Sequence, residues 1–158
     1  MSTGLLIERM KNRMSKKNQS LDLLHLEELQ TMGAGYDILR YVSLPELLGE
    51  EKDTLFYFMG KSLARKFDIK TIDDIFFLFN KLGWGTLELV KQKRGEFNFQ
   101  LLSDSVVVRL EAPFEAEFRL EAGFLSEAVQ MVEGMECECA EEVNQRIKQI
   151  EFSVVFMN

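Results

Sequence analysis

One histidine, two cysteines, two prolines and one tryptophan are spread over 158 residues. Each scarcity excludes something. With His25 the sole imidazole, serine or cysteine nucleophiles lack their usual base. Cysteine poverty, with Cys137 and Cys139 the only pair, fits a reducing cytoplasm. No apolar run approaches the ~20 residues of a membrane span; the longest cluster is IFFLF at 75–79. The basic N-terminus is followed by neither an apolar stretch nor a small-residue cleavage site, so no signal peptide is read. Positive charge is also short, at 19 Lys and Arg against 26 Asp and Glu, which argues against nucleic-acid binding. GxSxG and Walker A motifs are missing. GAGYDI at 33–38 has no strand before it and lacks the full GxGxxG spacing, so it reads as an entry turn. The expectation is a protein that is not an enzyme and carries no cofactor.

Apolar residues are plentiful, at 46% with thirteen phenylalanines, enough for the core of one domain. Charge is unevenly placed. Arg9, Lys11, Arg13, Lys16 and Lys17 face only Glu8 within the first twenty residues, whereas EGMECECAEE at 133–142 is acidic. Residues 1–30 are expected to be a basic arm, partly disordered, and residues 31–158 a single α+β domain. Within the arm, LDLLHLEEL (21–29) can form an amphipathic turn or two that docks on the body.

The pattern along the domain changes period twice. Residues 36–49 read as a helix broken before Pro45, with a short helical turn from Pro45 to Gly49. Asp53 reads as the N-cap of a helix over 54–67 whose buried stripe is Leu55, Phe56, Met59, Leu63 and Phe67. Thr71 and Asp74 approximate a capping box for a helix that Gly83 ends, with Ile72, Ile75, Phe76, Phe79 and Leu82 inward. Strands follow at 86–93, 96–102 and 106–110, joined by turns at Arg94-Gly95 and at SDS, 103–105. A helix over 118–134 holds Gly123, which costs about 1 kcal/mol against alanine and so points to close packing, read as helix on sheet. Strands at 135–143 and 146–156 end the chain, with Cys137 and Cys139 on one buried face. The fold class is α+β, a helical layer packed on a twisted antiparallel sheet of about five strands. Trp84, between Gly83 and Gly85, falls at the seam of the two layers.

LPELLG (44–49), GKSLARKF (60–67), LGWGTLELV (82–90) and LEAGFLSEAVQ (120–130) resemble the YslB-type family, small bacterial proteins of unknown function, over roughly residues 35–156. More remotely the chain is similar to the superfamily of vinyl-4-reductase-like domains, haem nitric-oxide sensors and core subunits of the TRAPP vesicle-tethering complex. That resemblance implies a homodimer and an apolar pocket between helices and sheet. The expected function is a noncatalytic module binding a small apolar ligand there, lined by Trp84, Phe58, Tyr57, Phe124 and Met131, with Arg65 as polar contributor. The alternative is a dimeric interaction or scaffold protein with no small-molecule ligand. Haem is excluded because no histidine stands in a late helix. The metal motif of the vinyl-4-reductase-like group is matched only by Glu136 and Cys139, with no further cysteine after them, so no metal is expected.

Overall fold

A computed structural model describes residues 4, 5, 8, 21, 23–29 and 33–158; the expected basic arm lies largely outside them. The chain enters through α1 (Leu23–Glu28). The Leu21 amide donates to the Lys66 carbonyl at 2.9 Å, and Leu26 packs against the core.

The helix expected to break before Pro45 instead runs through it. Here α2 (Gly35–Ile38) passes into a π turn (Leu39–Ser43) and then α3 (Leu44–Leu48). Proline cannot donate to the carbonyl four residues back, and its ring collides with that carbonyl. Widening the preceding turn by one residue relieves the collision, and Leu44 donates to Leu39. A 3-10 turn (Gly49–Glu51) leads into α4 (Lys52–Ala64). Asp53 is therefore inside the first turn of α4 rather than its cap, where its charge suits the helix dipole. Next comes α5 (Ile72–Lys81), closed at its start by the Thr71–Asp74 capping box that the sequence indicated.

Four antiparallel strands form one open sheet in the order β1-β2-β4-β3. They are β1 (Thr86–Lys93), β2 (Glu96–Leu102), β3 (Cys137–Asn144) and β4 (Gln149–Phe156). A bulge at Val90 shifts the β1–β2 register between Leu89 and Lys91. Phe97, Phe99 and Leu101 of β2 and Ile150, Phe152, Val154 and Phe156 of β4 face the helices, as their alternation predicts.

The sheet has four strands rather than about five because residues 106–110 are helical. They belong to α6 (Asp104–Glu111). Three successive valines favour a strand, but the Ser103 hydroxyl accepts from the Val106 amide at 3.3 Å and starts a helix. Val106 and Arg109, three apart, are both buried, while Val108 is 66% exposed. Packing of one helical face overrides the local preference of the valines.

α7 (Arg119–Glu133) lies between the sheet and α4. Residues 120–126 are buried without interruption, so this helix has partners all round. Gly123 does mark a close approach, but of α4 rather than of the sheet. A Cβ on Gly123 would overlap the Tyr57 carbonyl, and one on Gly60 would overlap the Leu120 carbonyl. The buried face of α4 is Phe56, Tyr57, Gly60 and Ala64. Leu55 and Met59, expected inside, are 39% and 43% exposed. Two glycines facing each other bring the helix backbones together, and that seam decides which way α4 turns.

Candidate functional site

Helical layer and sheet meet at Gly83-Trp84-Gly85. Both glycines have positive φ, 76° and 139°, so the chain stops a helix and enters β1 within three residues. That turn drives the indole inward, where Trp84 is 3% exposed. It stands edge-on to Phe79 and to Phe124, each at 5.1 Å between ring centres. Phe79 in turn meets Phe152 of β4 edge-on at 6.5 Å. Edge-to-face contacts of this kind add about 0.5–1.5 kcal/mol each beyond area burial.

Arg109 of α6 holds the turn shut. Its Nη2 donates to the Gly83 carbonyl at 2.8 Å, its Nη1 to the Trp84 carbonyl at 3.2 Å, and its Nε to Asp37 Oδ1 at 3.2 Å. The Trp84 indole donates to the Tyr36 hydroxyl at 3.2 Å, and Arg40 Nη1 donates to the same oxygen at 3.3 Å. Around these groups lies an open groove of roughly 490 Å3, lined by Tyr36, Asp37 and Arg109, by Lys81 to Gly83, and by Leu26, Glu27 and Leu29 from α1 and just beyond it.

Behind the groove, Arg40 ties the π turn to α7. Arg40 Nη1 meets Glu121 Oε1 at 2.7 Å, and Nε donates to Glu117 Oε1 at 2.9 Å. Arg40 and Glu121 are 2% and 1% exposed. Burial lifts the Glu117 carboxyl above its usual range, against the pull of Arg40.

The residues expected to line one pocket divide into two sets. Trp84 and Phe124 share the ring cluster, and Tyr57 is also buried. Phe58 is 59% exposed and Met131 37% exposed. Arg65 reaches Glu127 at 3.4 Å from the surface. Tyr57 does something that periodicity could not reveal. Its hydroxyl accepts from the Cys139 amide at 3.0 Å and donates to Glu138 Oε2, while Lys61 donates to Glu138 Oε1 at 3.2 Å. A helix side chain thus takes up one amide on the free edge of β3. Burial pushes the Tyr57 phenol up to about 12; the Cys139 amide opposes that rise and Glu138 adds to it. A raised pKa means stability that is complete below the unfolded value of about 10 and lost as pH climbs to the folded one. Tyr57→Phe should cost about 1–2 kcal/mol at pH 8 by orphaning the Cys139 amide. In urea unfolding the gap to the parent should narrow as pH rises from 10 toward about 12; a gap constant over that window would contradict the linkage.

Cys137 and Cys139 are both buried on the inner face of β3. The Ser126 hydroxyl donates to the Cys137 carbonyl at 3.0 Å and the Cys137 thiol to the Ser126 carbonyl at 3.1 Å. Burial pushes the Cys137 thiol up to about 11 and the Cys139 thiol well above its usual value, which keeps both as inert thiols. Among the described residues no group of three or more His, Cys, Asp and Glu could hold a metal ion, and no helix is long and apolar enough to cross a membrane.

Arg40, Arg109, Tyr36 and Asp37 were not singled out by sequence reasoning. A usable signal existed for two of the buried ions: Arg109 interrupts VVVRL and Glu121 interrupts LEAGFL, each a charge within an apolar stretch.

A helical layer on an open antiparallel sheet with this connectivity is the vinyl-4-reductase-like fold. The crystal structure of a vinyl-4-reductase family protein from Methanocaldococcus jannaschii is similar with a TM-score of 0.58, covering 84% of this chain and 87% of that one at 15% identity. The family model of proteins of unknown function called DUF2507 matches residues 33–155, and the chain belongs to that family. Uncharacterized protein YslB of Bacillus subtilis (strain 168) is 34% identical over 140 residues, 89% of this chain and 93% of the relative. The resemblance read from GWGTL and LEAGF is therefore sound at both its near and its vinyl-4-reductase-like level. Neither the family description nor the relative's name assigns an activity.

Proposed function

We propose that the protein is a noncatalytic interaction module of the cytoplasm that works as a homodimer through the outer face of α4. One observation carries this. Leu55, Phe58 and Met59, at i, i+3 and i+4, are 39%, 59% and 43% exposed and form an apolar stripe on the outer face of α4. Ile38, Leu39 and Val42 make a second exposed strip on the preceding helical segment. The occupant is a second copy because the stripe is complementary to itself. Glu50 and Glu51 precede the helix that carries it, and Arg65, which also reaches Glu127 at 3.4 Å, and Lys66 follow it. Two copies of α4 packed antiparallel about a twofold axis would set acidic end against basic end.

A second reading keeps a small apolar ligand between helices and sheet, against Trp84, Tyr57 and Phe124. The likeness in fold supports it, but a ligand there has to part rings that now stand 5.1 Å apart. Native mass spectrometry separates the two. The expected result is twice the chain mass with nothing retained, and chain mass alone for Phe58→Glu, whose far-UV circular dichroism stays that of the parent. A parent that is monomeric at about 100 μM, weaker than most specific interfaces, would overturn the first reading; a retained molecule would favour the second.

A further inference from the structure

We infer that the groove in front of the Trp84 turn is a binding site for a small zwitterion, an α-amino acid with an apolar side chain. This goes beyond the dimer reading and does not depend on it, since the groove is built from α1, α2, α5 and α6 rather than from the outer face of α4.

Three features set the ligand class. The first is size. Roughly 490 Å3 falls within the range of small-molecule sites and holds a molecule of amino-acid dimensions with room for water. The second is charge. Glu27, Asp37, Lys81 and Arg109 line the groove, two of each sign, so the lining is electrically balanced. A simple anion would meet the carboxylates, and a simple amine would meet the cations. A zwitterion brings both signs and no net charge.

The third feature is which polar atoms remain open. Arg109 is committed to Gly83, Trp84 and Asp37 Oδ1. Asp37 Oδ2 has no partner among the described residues, and the Asp37 side chain is 35% exposed. It offers an acceptor for an ammonium group. The Tyr36 hydroxyl accepts from Trp84 and Arg40, which occupies its lone pairs. Its own proton has no acceptor among the described residues, and with Tyr36 41% exposed it is open to donate to a carboxylate. Lys81 supplies the second donor, since its contact with Glu27 is loose, at 3.6 Å, and 32% and 53% of the two side chains stays in water. Leu26, Leu29 and Leu82 form the apolar wall for the side chain.

The protein carries its own reporter. Trp84 is the only tryptophan, so a 15N-labelled chain gives one indole cross-peak, from the N–H bonded to Tyr36. Titrating full-length protein with L-leucine and L-phenylalanine should move that peak saturably. The two half-molecules of leucine, 3-methylbutylamine and 4-methylpentanoate, should each bind about tenfold more weakly, as expected for loss of one charge-assisted contact. Asp37→Asn and Lys81→Met should each weaken leucine by about the same factor. Lys81→Met guards against the chance that Asp37→Asn acts by loosening Arg109. The proposal is overturned if neither amino acid moves the indole peak at up to ~50 mM, beyond any useful affinity. It is equally overturned if a half-molecule matches leucine, or if Lys81→Met binds as the parent does.

Discussion

Gly123→Ala should destabilise the fold by about 3–5 kcal/mol, or prevent folding altogether. Helix propensity alone points the other way, since alanine is better than glycine inside a helix by about 1 kcal/mol. Sterics decide the sign. The new methyl carbon would overlap the Tyr57 carbonyl and lie 2.7 Å from its carbonyl carbon, which is backbone and cannot swing aside. α4 would have to lift away from α7, opening the contact at Gly60 as well, where an added carbon would meet the Phe124 amide nitrogen at 2.6 Å. Total stability of a domain is about 5–15 kcal/mol, so the loss is a large part of it. Urea unfolding is the measurement, with Asn80→Ala on the exposed side of α5 as the neutral comparison. A Gly123→Ala protein as stable as its parent would mean that the two helices do not touch where they are placed.

The second large effect concerns Arg40. Arg40→Met should cost about 3–5 kcal/mol, because Glu121 is then left charged and unpaired inside the protein. Glu117, with 14% of its side chain exposed, can recover some hydration; Glu121, at 2%, cannot. The paired replacement Arg40→Met with Glu121→Met removes both ions and should recover most of the loss, since apolar substitutes for a buried ion pair are often neutral or better. Equilibrium unfolding of the parent, both single variants and the double variant forms a cycle. Strict additivity in that cycle would show that the two charges do not depend on each other.

How much of this was legible from residues alone varies with the kind of information each element uses. The α5 cap, the two hairpin strands β1 and β2, and the inner face of β4 depend on local chemistry and on period. They can be read directly, down to Thr71, Gly95 and the Phe97–Phe99–Leu101 face. The helix at 104–111 was not legible as a helix. Its valines argue for a strand, and only burial of Val106 and Arg109 against the rest of the molecule reverses them. The inward face of α4 failed for a related reason. Counting large apolar side chains selected Leu55 and Met59, whereas the contact is made where side chains are smallest, at Gly60 and Ala64. The candidate groove is the extreme case, because Tyr36, Lys81 and Arg109 are far apart in the chain and only the folded backbone brings them to one place.

The borders of the sheet carry a consequence for assembly. On one side the hydroxyl of Tyr57 takes up the Cys139 amide of β3. On the other, β1 is bent by its bulge at Val90 and lined by Lys91 and Lys93, features that discourage a visiting strand. Both margins are poor templates for adding chain upon chain. Growth by strand addition, the route to fibres, is thereby disfavoured at both borders, which is consistent with the proposed pairing of copies helix to helix, where a twofold closes on itself and stops at two.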